Sequence, residues 1–179
     1  LLKANFVFGG DFHAFAQAQK VHLRALRELS GQKKVTLAME CIESKHQKVL
    51  DRFISHKISE EEFLKKIQWA KKWGFPWAQY RPLFEIVKKN GWRCLALNEI
   101  HKSTSYKTLT SRDRHAAEIL RAAYKKNRDE IIYVIYGDLH IAKERLPQLV
   151  TAKLPGSPRS LILYLNPEKI YFQLVRKNL

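Results

Sequence analysis

Acidic residues, cysteines and long apolar runs are all scarce in this chain, and each shortage excludes a class of protein. The two cysteines, Cys41 and Cys94, are too few for a disulfide framework and lack the spacing of a zinc site. No apolar run approaches the roughly 20 residues that a membrane-spanning helix requires. With 45% hydrophobic residues over 179 positions, the composition predicts one globular domain that spans residues 1–179.

The shortage of acidic residues leaves a strongly basic chain. The 33 lysines and arginines outnumber the 17 aspartates and glutamates, for a net charge of +16. Such a field attracts carboxylate ligands, polyanions and acidic membrane surfaces. The lysine pairs are scattered, and no nucleic-acid-binding motif accompanies them, so we expect no specific nucleic-acid partner. Peripheral association with a membrane through the basic surface stays open.

A nucleophile elbow and a glycine-rich phosphate loop are also absent, but one short motif occurs twice. Residues 10–13 read Gly-Asp-Phe-His, and residues 137–140 read Gly-Asp-Leu-His. Each copy directly follows an apolar run and precedes a helical stretch, which is typical of a strand that ends in a turn. In parallel α/β sheets, ligands bind outside the carboxyl ends of the strands. Both histidines are therefore predicted to face a functional site.

The order of apolar runs and amphipathic stretches predicts an α/β fold. It has a mostly parallel central sheet, helices on both faces, and an antiparallel pair of strands at the C-terminus. Helices are predicted at residues 14–30, 111–126 and 143–153. Strands are predicted at residues 5–9, 34–42, 92–97, 131–136, 160–165 and 169–175.

A helical insertion is predicted between the second and third strands, at about residues 45–90. It is longer than a crossover between parallel strands needs, so we expect it to cover the strand ends. Its aromatic residues are predicted to line an apolar pocket or to fill the core; they are Trp69, Trp73, Phe75, Trp77 and Tyr80. His22 lies on the apolar stripe of the first helix, where a packing role is favoured over a ligand role.

Polar side chains are predicted to gather at the carboxyl ends of four strands. They are Asp11, His13, Glu40, Asn98, Asp138 and His140. Imidazole and carboxylate groups together suit a divalent metal such as Zn, Mn or Fe, with His13, Glu40, His140, Asp11 and Asp138 as candidate ligands. A metal-free acid–base pairing of Glu40 with a histidine is the other chemical interpretation.

Several segments together resemble the ChaN-like haem-binding family of the Tiki superfamily, across about residues 5–150. Besides the two Gly-Asp-x-His turns, they are residues 37–40 (Leu-Ala-Met-Glu), 73–83, 95–98 (Leu-Ala-Leu-Asn), and Arg112-Asp113 at a helix start. The resemblance implies a haem-binding protein of bacterial iron or haem uptake, with haem held between the strand ends and the aromatic insertion. It also implies a site that two subunits share, and so a homodimer.

The resemblance further implies roles for individual residues. Tyr80 or a rim histidine, His13 or His140, would ligate the haem iron, and Arg81 or Arg114 would pair with the haem propionates. Asn98 belongs to the same predicted haem-binding set.

The superfamily also includes hydrolases that resemble proteases or esterases. In that alternative, Glu40, His13 and His140 would be catalytic in a metal-dependent site. Asp11 stands where the family usually has a glutamate, and Ala14 replaces an acid; both differences favour haem binding over hydrolysis. Whether the chain is an enzyme is left open by its sequence.

The compartment is also left open. The resemblance implies the cell envelope, either periplasmic or membrane-anchored, and the cytoplasm is the alternative. The sequence begins at Leu1, so a removed export signal or lipid anchor is compatible with it.

Overall fold

The fold is seen in a computed structural model, which describes residues 1–99 and 106–165. The strands are β1 (Phe6–Asp11), β2 (Val35–Glu43), β3 (Arg93–Asn98), β4 (Ile131–Gly137) and β5 (Ser160–Leu163). The helices are α1 (Ala16–Leu29), α2 (Gln47–Ile54), α3 (Glu60–Ile67), α4 (Trp69–Lys72), α5 (Trp77–Lys89), α6 (Tyr106–Lys126) and α7 (Leu146–Thr151).

The five described strands form one parallel sheet in the order β3-β2-β4-β1-β5. The α/β class and the parallel sheet flanked by helices are confirmed. The antiparallel C-terminal pair is not: β5 runs parallel to β1. The other strand of that predicted pair, at residues 169–175, lies outside the described residues.

Each face of the sheet carries its own apolar core. Alternate residues of the strands, such as Val7, Leu37 and Tyr133, pack against α1 to α5. The residues between them, such as Phe8 and Val134, pack against α6 and α7. Strands buried on both faces read as near-continuous apolar runs, which explains the Ile-Ile-Tyr-Val-Ile-Tyr sequence of β4.

The connections place a switch point between β1 and β4. The chain moves from β1 through β2 to β3 with its helices on one face, then returns through β4 to β5 with its helices on the other. Crossovers between parallel strands are right-handed, so the helices must change face when the chain reverses its direction across the sheet. The segments that leave β1 and β4 therefore diverge, which opens a crevice at their carboxyl ends.

Two predicted helices have different bounds in the structure. The helix expected from residue 111 begins at Tyr106, and the one expected at residues 143–153 is the shorter α7, with Pro147 in its first turn. The insertion between β2 and β3 is helical, as predicted. Within it, the Ser59 side chain accepts a hydrogen bond from the Glu62 N–H and caps α3.

Candidate functional site

The two Gly-Asp-x-His turns lie side by side at the carboxyl edge of the sheet. β1 and β4 are neighbours, and their last paired residues are Asp11 and Gly137. His13 follows β1 and His140 follows β4, so the sheet register brings the two imidazoles to the same crevice. A methyl group built on Gly137 would lie 3.5 Å from His13 Nε2 and 3.7 Å from His140 Cδ2.

Glu40 lies between the two histidines. The pairing of β2 with β3 is irregular between Met39 and Glu43, and such bulges redirect side chains beside functional sites. The Glu40 carboxylate accepts a 2.6 Å hydrogen bond from the Gly137 N–H and forms an ion pair with Arg112. Its two oxygens lie 3.8 Å from His13 Nε2 and 3.8 Å from His140 Nε2. One carboxylate thus faces both imidazoles.

His13 is oriented by its other ring nitrogen. Nδ1 lies 2.9 Å from Asp11 Oδ2, and the ring packs edge-on against Trp73 at 4.5 Å and beside Phe75 at 5.4 Å. Burial lowers the pKa of His13, but the Asp11 and Glu40 carboxylates outweigh it, so the pKa is raised. A quarter of the side chain remains exposed, with Nε2 on the cavity side.

Asp11 is a buried carboxylate with three side-chain partners. Besides His13, it accepts hydrogen bonds from Tyr80, at 3.0 Å between the hydroxyl and Oδ2, and from the Gln19 amide. These donors compensate the cost of burying its charge. Asp11 is thereby fixed between the helical layer and the site.

His140 has a parallel arrangement on the opposite face. Its Nδ1 contacts Asp113 Oδ1, and Arg145 contacts Asp113 Oδ2 through Nε at 2.9 Å and Nη2 at 2.6 Å. The ring packs edge-on against Tyr136 at 4.7 Å, and the side chain is 5% exposed. Two histidines therefore reach Glu40 from opposite sides, each held by an aspartate.

The crevice forms a cavity of about 490 Å³, within the range of small-molecule sites. Its floor holds the polar groups described above, and its mouth is apolar. We name the exposed apolar residues of its lining, Phe12 and Leu139, the apolar lip. The rings of Phe12 and Phe15 are in contact, with centroids 4.8 Å apart, and Leu139 is 70% exposed. The x positions of both turns thus supply apolar surface beside the imidazoles.

The structure brings together five of the predicted site residues and separates four. Asp11, His13, Glu40, Asp138 and His140 line the cavity. Tyr80, Asn98, Arg81 and Arg114 lie outside its lining.

Tyr80 is fully buried behind Asp11, and burial raises the pKa of its phenol. Asn98 ends β3 and lines a separate small cavity with Cys41 and Trp73. Neither side chain belongs to the cavity wall.

The two predicted propionate partners are both exposed. Arg81 pairs on α5 with Glu60 and Glu85, at 3.1 and 3.0 Å. Arg114 lies on α6 and is absent from the cavity lining.

Sequence reasoning assigned no site role to Arg112, Asp113, Arg145 or Gln19. Arg112 and Asp113 were visible only as a dipeptide at a helix start, and α6 continues for a turn before them. Arg145 and Gln19 act through Asp113 and Asp11, so their roles depend on contacts that the local sequence does not reveal. The packing role predicted for His22 agrees with its contacts: it is buried and bonded to the Tyr133 hydroxyl and the Gly10 carbonyl.

A metal site is not supported. Among the described residues, no group of three or more His, Cys, Asp or Glu side chains is arranged to hold an ion. The ion pair of Glu40 with Arg112 explains this, since the guanidinium takes the position that a cation would need.

A haem group fits the donor set better. A haem needs one or two axial ligands and an apolar enclosure, rather than a cage of carboxylates. An imidazole Nε2 at the floor and the apolar lip at the mouth supply both.

Comparison with known proteins gives one family match. The model of the family described as "Haem-binding uptake, Tiki superfamily, ChaN" matches residues 1–105. No match was found among curated proteins.

Solved structures show the same fold. ChaN of Campylobacter jejuni, described as showing cofacial heme binding, is 17% identical with a TM-score of 0.60. The match covers 92% of this chain and 82% of that one. The type III effector HopBA1 is 14% identical with a TM-score of 0.58, over 88% and 75% of the two chains.

A third structure is RRSP, a MARTX toxin effector domain from Vibrio vulnificus CMCP6. It is 18% identical with a TM-score of 0.61, and the match covers 92% of this chain but 34% of that one. At these identities the likeness concerns the fold alone.

Proposed function

We propose that this chain, which belongs to the haem-binding uptake family ChaN of the Tiki superfamily, binds haem in the cavity between its two Gly-Asp-x-His turns. The observation that carries the proposal is that two imidazoles and an apolar mouth line the same crevice. In this proposal an imidazole Nε2 would hold the iron, and the apolar lip would contribute apolar surface for the porphyrin. Haem would supply the redox-active iron; the chain supplies binding and orientation.

The cavity chemistry is consistent with a ferric porphyrin. Carboxylates are the more numerous charges on the lining, from Asp11, Glu40 and Asp138 against Arg112. An acidic floor favours the cationic ring centre of ferric haem, while the +16 surface favours the propionates outside it. The proposal includes a role in iron or haem uptake, which the description of the matched family supports, and a location in the cell envelope.

The test is a visible-absorbance titration of haemin into the purified chain at moderate salt. We expect a saturable Soret shift at about one haem per chain, and loss of most of the affinity in His13→Ala. The matched control is His56→Asn, which removes an exposed histidine outside the cavity lining. Asparagine tolerates the positive φ of 59° at that position. A shift that is unsaturable, or equal in the two variants, would refute the proposal.

A second candidate function is a hydrolase, favoured by the position of Glu40 between two imidazole Nε2 atoms. A carboxylate and a histidine at this distance can exchange a proton with a substrate or a bridging water. Esterase and peptidase activity that is resistant to chelators and lost in Glu40→Gln would support it. Activity that survives Glu40→Gln would exclude Glu40 chemistry.

A further inference from the structure

The two aspartate–histidine pairs differ in what holds the aspartate. Asp113 contacts the Arg145 guanidinium at two points, so a full positive charge offsets its carboxylate. Asp11, apart from its contact with His13, accepts hydrogen bonds from two neutral side chains, the Tyr80 hydroxyl and the Gln19 amide. The negative charge on Asp11 is therefore less compensated at His13 than that of Asp113 is at His140.

Tyr80 reaches Asp11 from a fully enclosed position. Its side chain is 0% exposed and packs edge-on against Trp69 at 5.3 Å and Trp73 at 6.0 Å. Burial, followed by the charge of Asp11, raises the pKa of the phenol well above its ordinary value. The hydroxyl therefore keeps its proton and donates it to Asp11 Oδ2, the same oxygen that contacts His13.

The two imidazoles also differ in access to the cavity. The His13 side chain is 25% exposed, whereas that of His140 is 5% exposed. Both side chains line the cavity, and His13 offers a ligand the larger exposed surface.

On the premise of haem binding given above, we propose that Tyr80 is a positioning residue rather than an iron ligand. It holds Asp11 against His13 Nδ1, so that His13, and not His140, would hold the haem iron. A carboxylate on the outer nitrogen of a ligating histidine fixes its tautomer and strengthens the inner nitrogen as a donor. The strength of that effect depends on how much of the carboxylate charge its other partners neutralise.

This arrangement predicts opposite effects for two conservative substitutions. Asp11→Asn removes the negative charge behind His13, so the ferric state loses stabilisation and the haem reduction potential rises. Tyr80→Phe removes one donor from Asp11 and leaves more negative charge for His13, so the potential falls. A merely structural loosening of the site would move both variants in the same direction.

The experiment has a readout that does not need haem. Long-range ¹H–¹⁵N NMR on the ligand-free chain, at a pH high enough for the His13 ring to be neutral, reports which of its nitrogens carries the proton. We expect the Nδ1–H tautomer in the parent and in Tyr80→Phe, and a reduced share of it in Asp11→Asn. The matched control is Tyr133→Phe, which removes an equally buried hydroxyl that contacts His22 instead of Asp11. It should move neither the tautomer nor the potential.

The outcomes separate the two proposals. A His13 tautomer that is unchanged in Asp11→Asn overturns the positioning role whether or not haem binds. Loss of ferric haem binding in folded Tyr80→Phe also overturns it, because that result makes Tyr80 the ligand. An Asp11-dependent tautomer without saturable haemin binding keeps the Asp11–His13 coupling and rejects haem as the cavity's ligand.

Discussion

At the scale of single residues, two glycines of the repeated turn have different tasks. A methyl group on Gly10 would overlap Asp138 Oδ1 in the second turn and lie 3.2 Å from Ile141, the residue that follows that turn. A methyl group on Gly137 would meet Glu40 Oε2 at 3.3 Å and otherwise project among the site groups. The absent side chain of Gly10 lets the two turns approach each other. The absent side chain of Gly137 leaves space at the cavity floor.

We therefore expect Gly10→Ala to destabilise the fold by about 1–3 kcal/mol, the usual cost of forcing atoms into a packed interior. Gly137→Ala should unfold at nearly the parental denaturant concentration, since a small shift relieves its contacts, but it should bind haemin more weakly. Urea unfolding measures the first effect and a Soret titration the second. Equal stability of the two variants would contradict the assigned division of tasks.

The residues that sequence reasoning found and missed differ in a physical way. His13, His140 and Glu40 end strands, and strand ends can be read from apolar runs followed by polar groups. Whether Tyr80 faced the cavity depended on the packing of Trp69 and Trp73 around it, which no local pattern encodes. The same holds for Arg112, whose importance comes from its contact with Glu40, 72 positions away along the chain.

At the scale of elements, a polar clamp joins three strands at the end of the sheet opposite the site. Glu130, just before β4, accepts hydrogen bonds from Thr36 of β2 at 2.7 Å and from Arg93 of β3 at 2.9 Å. Asn127 donates a further bond to its other oxygen. Burial raises the pKa of Glu130, but these donors and the Arg93 charge outweigh it, so the pKa is lowered.

The lowered pKa of Glu130 makes the clamp a pH-dependent source of stability. A carboxyl whose folded pKa is depressed stabilises the fold above its unfolded pKa, and this contribution is lost as pH falls through the folded pKa. Glu130→Gln should therefore cost about 1–2 kcal/mol in urea unfolding at pH 7 and much less near pH 3. Glu118→Gln, on the exposed side of α6, is the control. A Glu130→Gln cost that is independent of pH would show that the charge contributes nothing.

The order of strands and helices was predictable, but the neighbour of β5 in the sheet was not. The sequence predicts an antiparallel pair of terminal strands at residues 160–165 and 169–175, and the second of these lies outside the described residues. The first is β5, which pairs with β1 in parallel, from Phe6 and Ser160 to Gly9 and Leu163. Such pairing joins residues more than 150 positions apart, and turn chemistry carries no information about it.

At the scale of the whole molecule, the charge of the cavity lining is opposite in sign to the net charge of the chain. The chain carries +16, yet the cavity lining holds more carboxylates than cations. Within the described ranges, no helix is long and apolar enough to cross a membrane. No lysine or arginine is among the buried residues that the structure describes, so the positive charge there lies on the surface. Like charges on that surface repel one another more strongly in the folded chain than in the expanded unfolded chain.

This repulsion predicts that salt stabilises the protein. Raising NaCl from about 20 to about 200 mM shortens the screening length from roughly 20 Å to roughly 7 Å. The long-range repulsion between surface charges therefore weakens, while the attraction within buried ion pairs is hardly screened. We expect the urea midpoint to rise over that range, and to rise less in Lys20→Glu, which replaces an exposed positive charge on α1 and so lowers the net charge by two. A midpoint that falls with salt would mean that attractive pairs dominate the surface. In that case the excess of lysine and arginine would already be compensated locally, and the argument that the surface draws carboxylate ligands by its net field would fail with it.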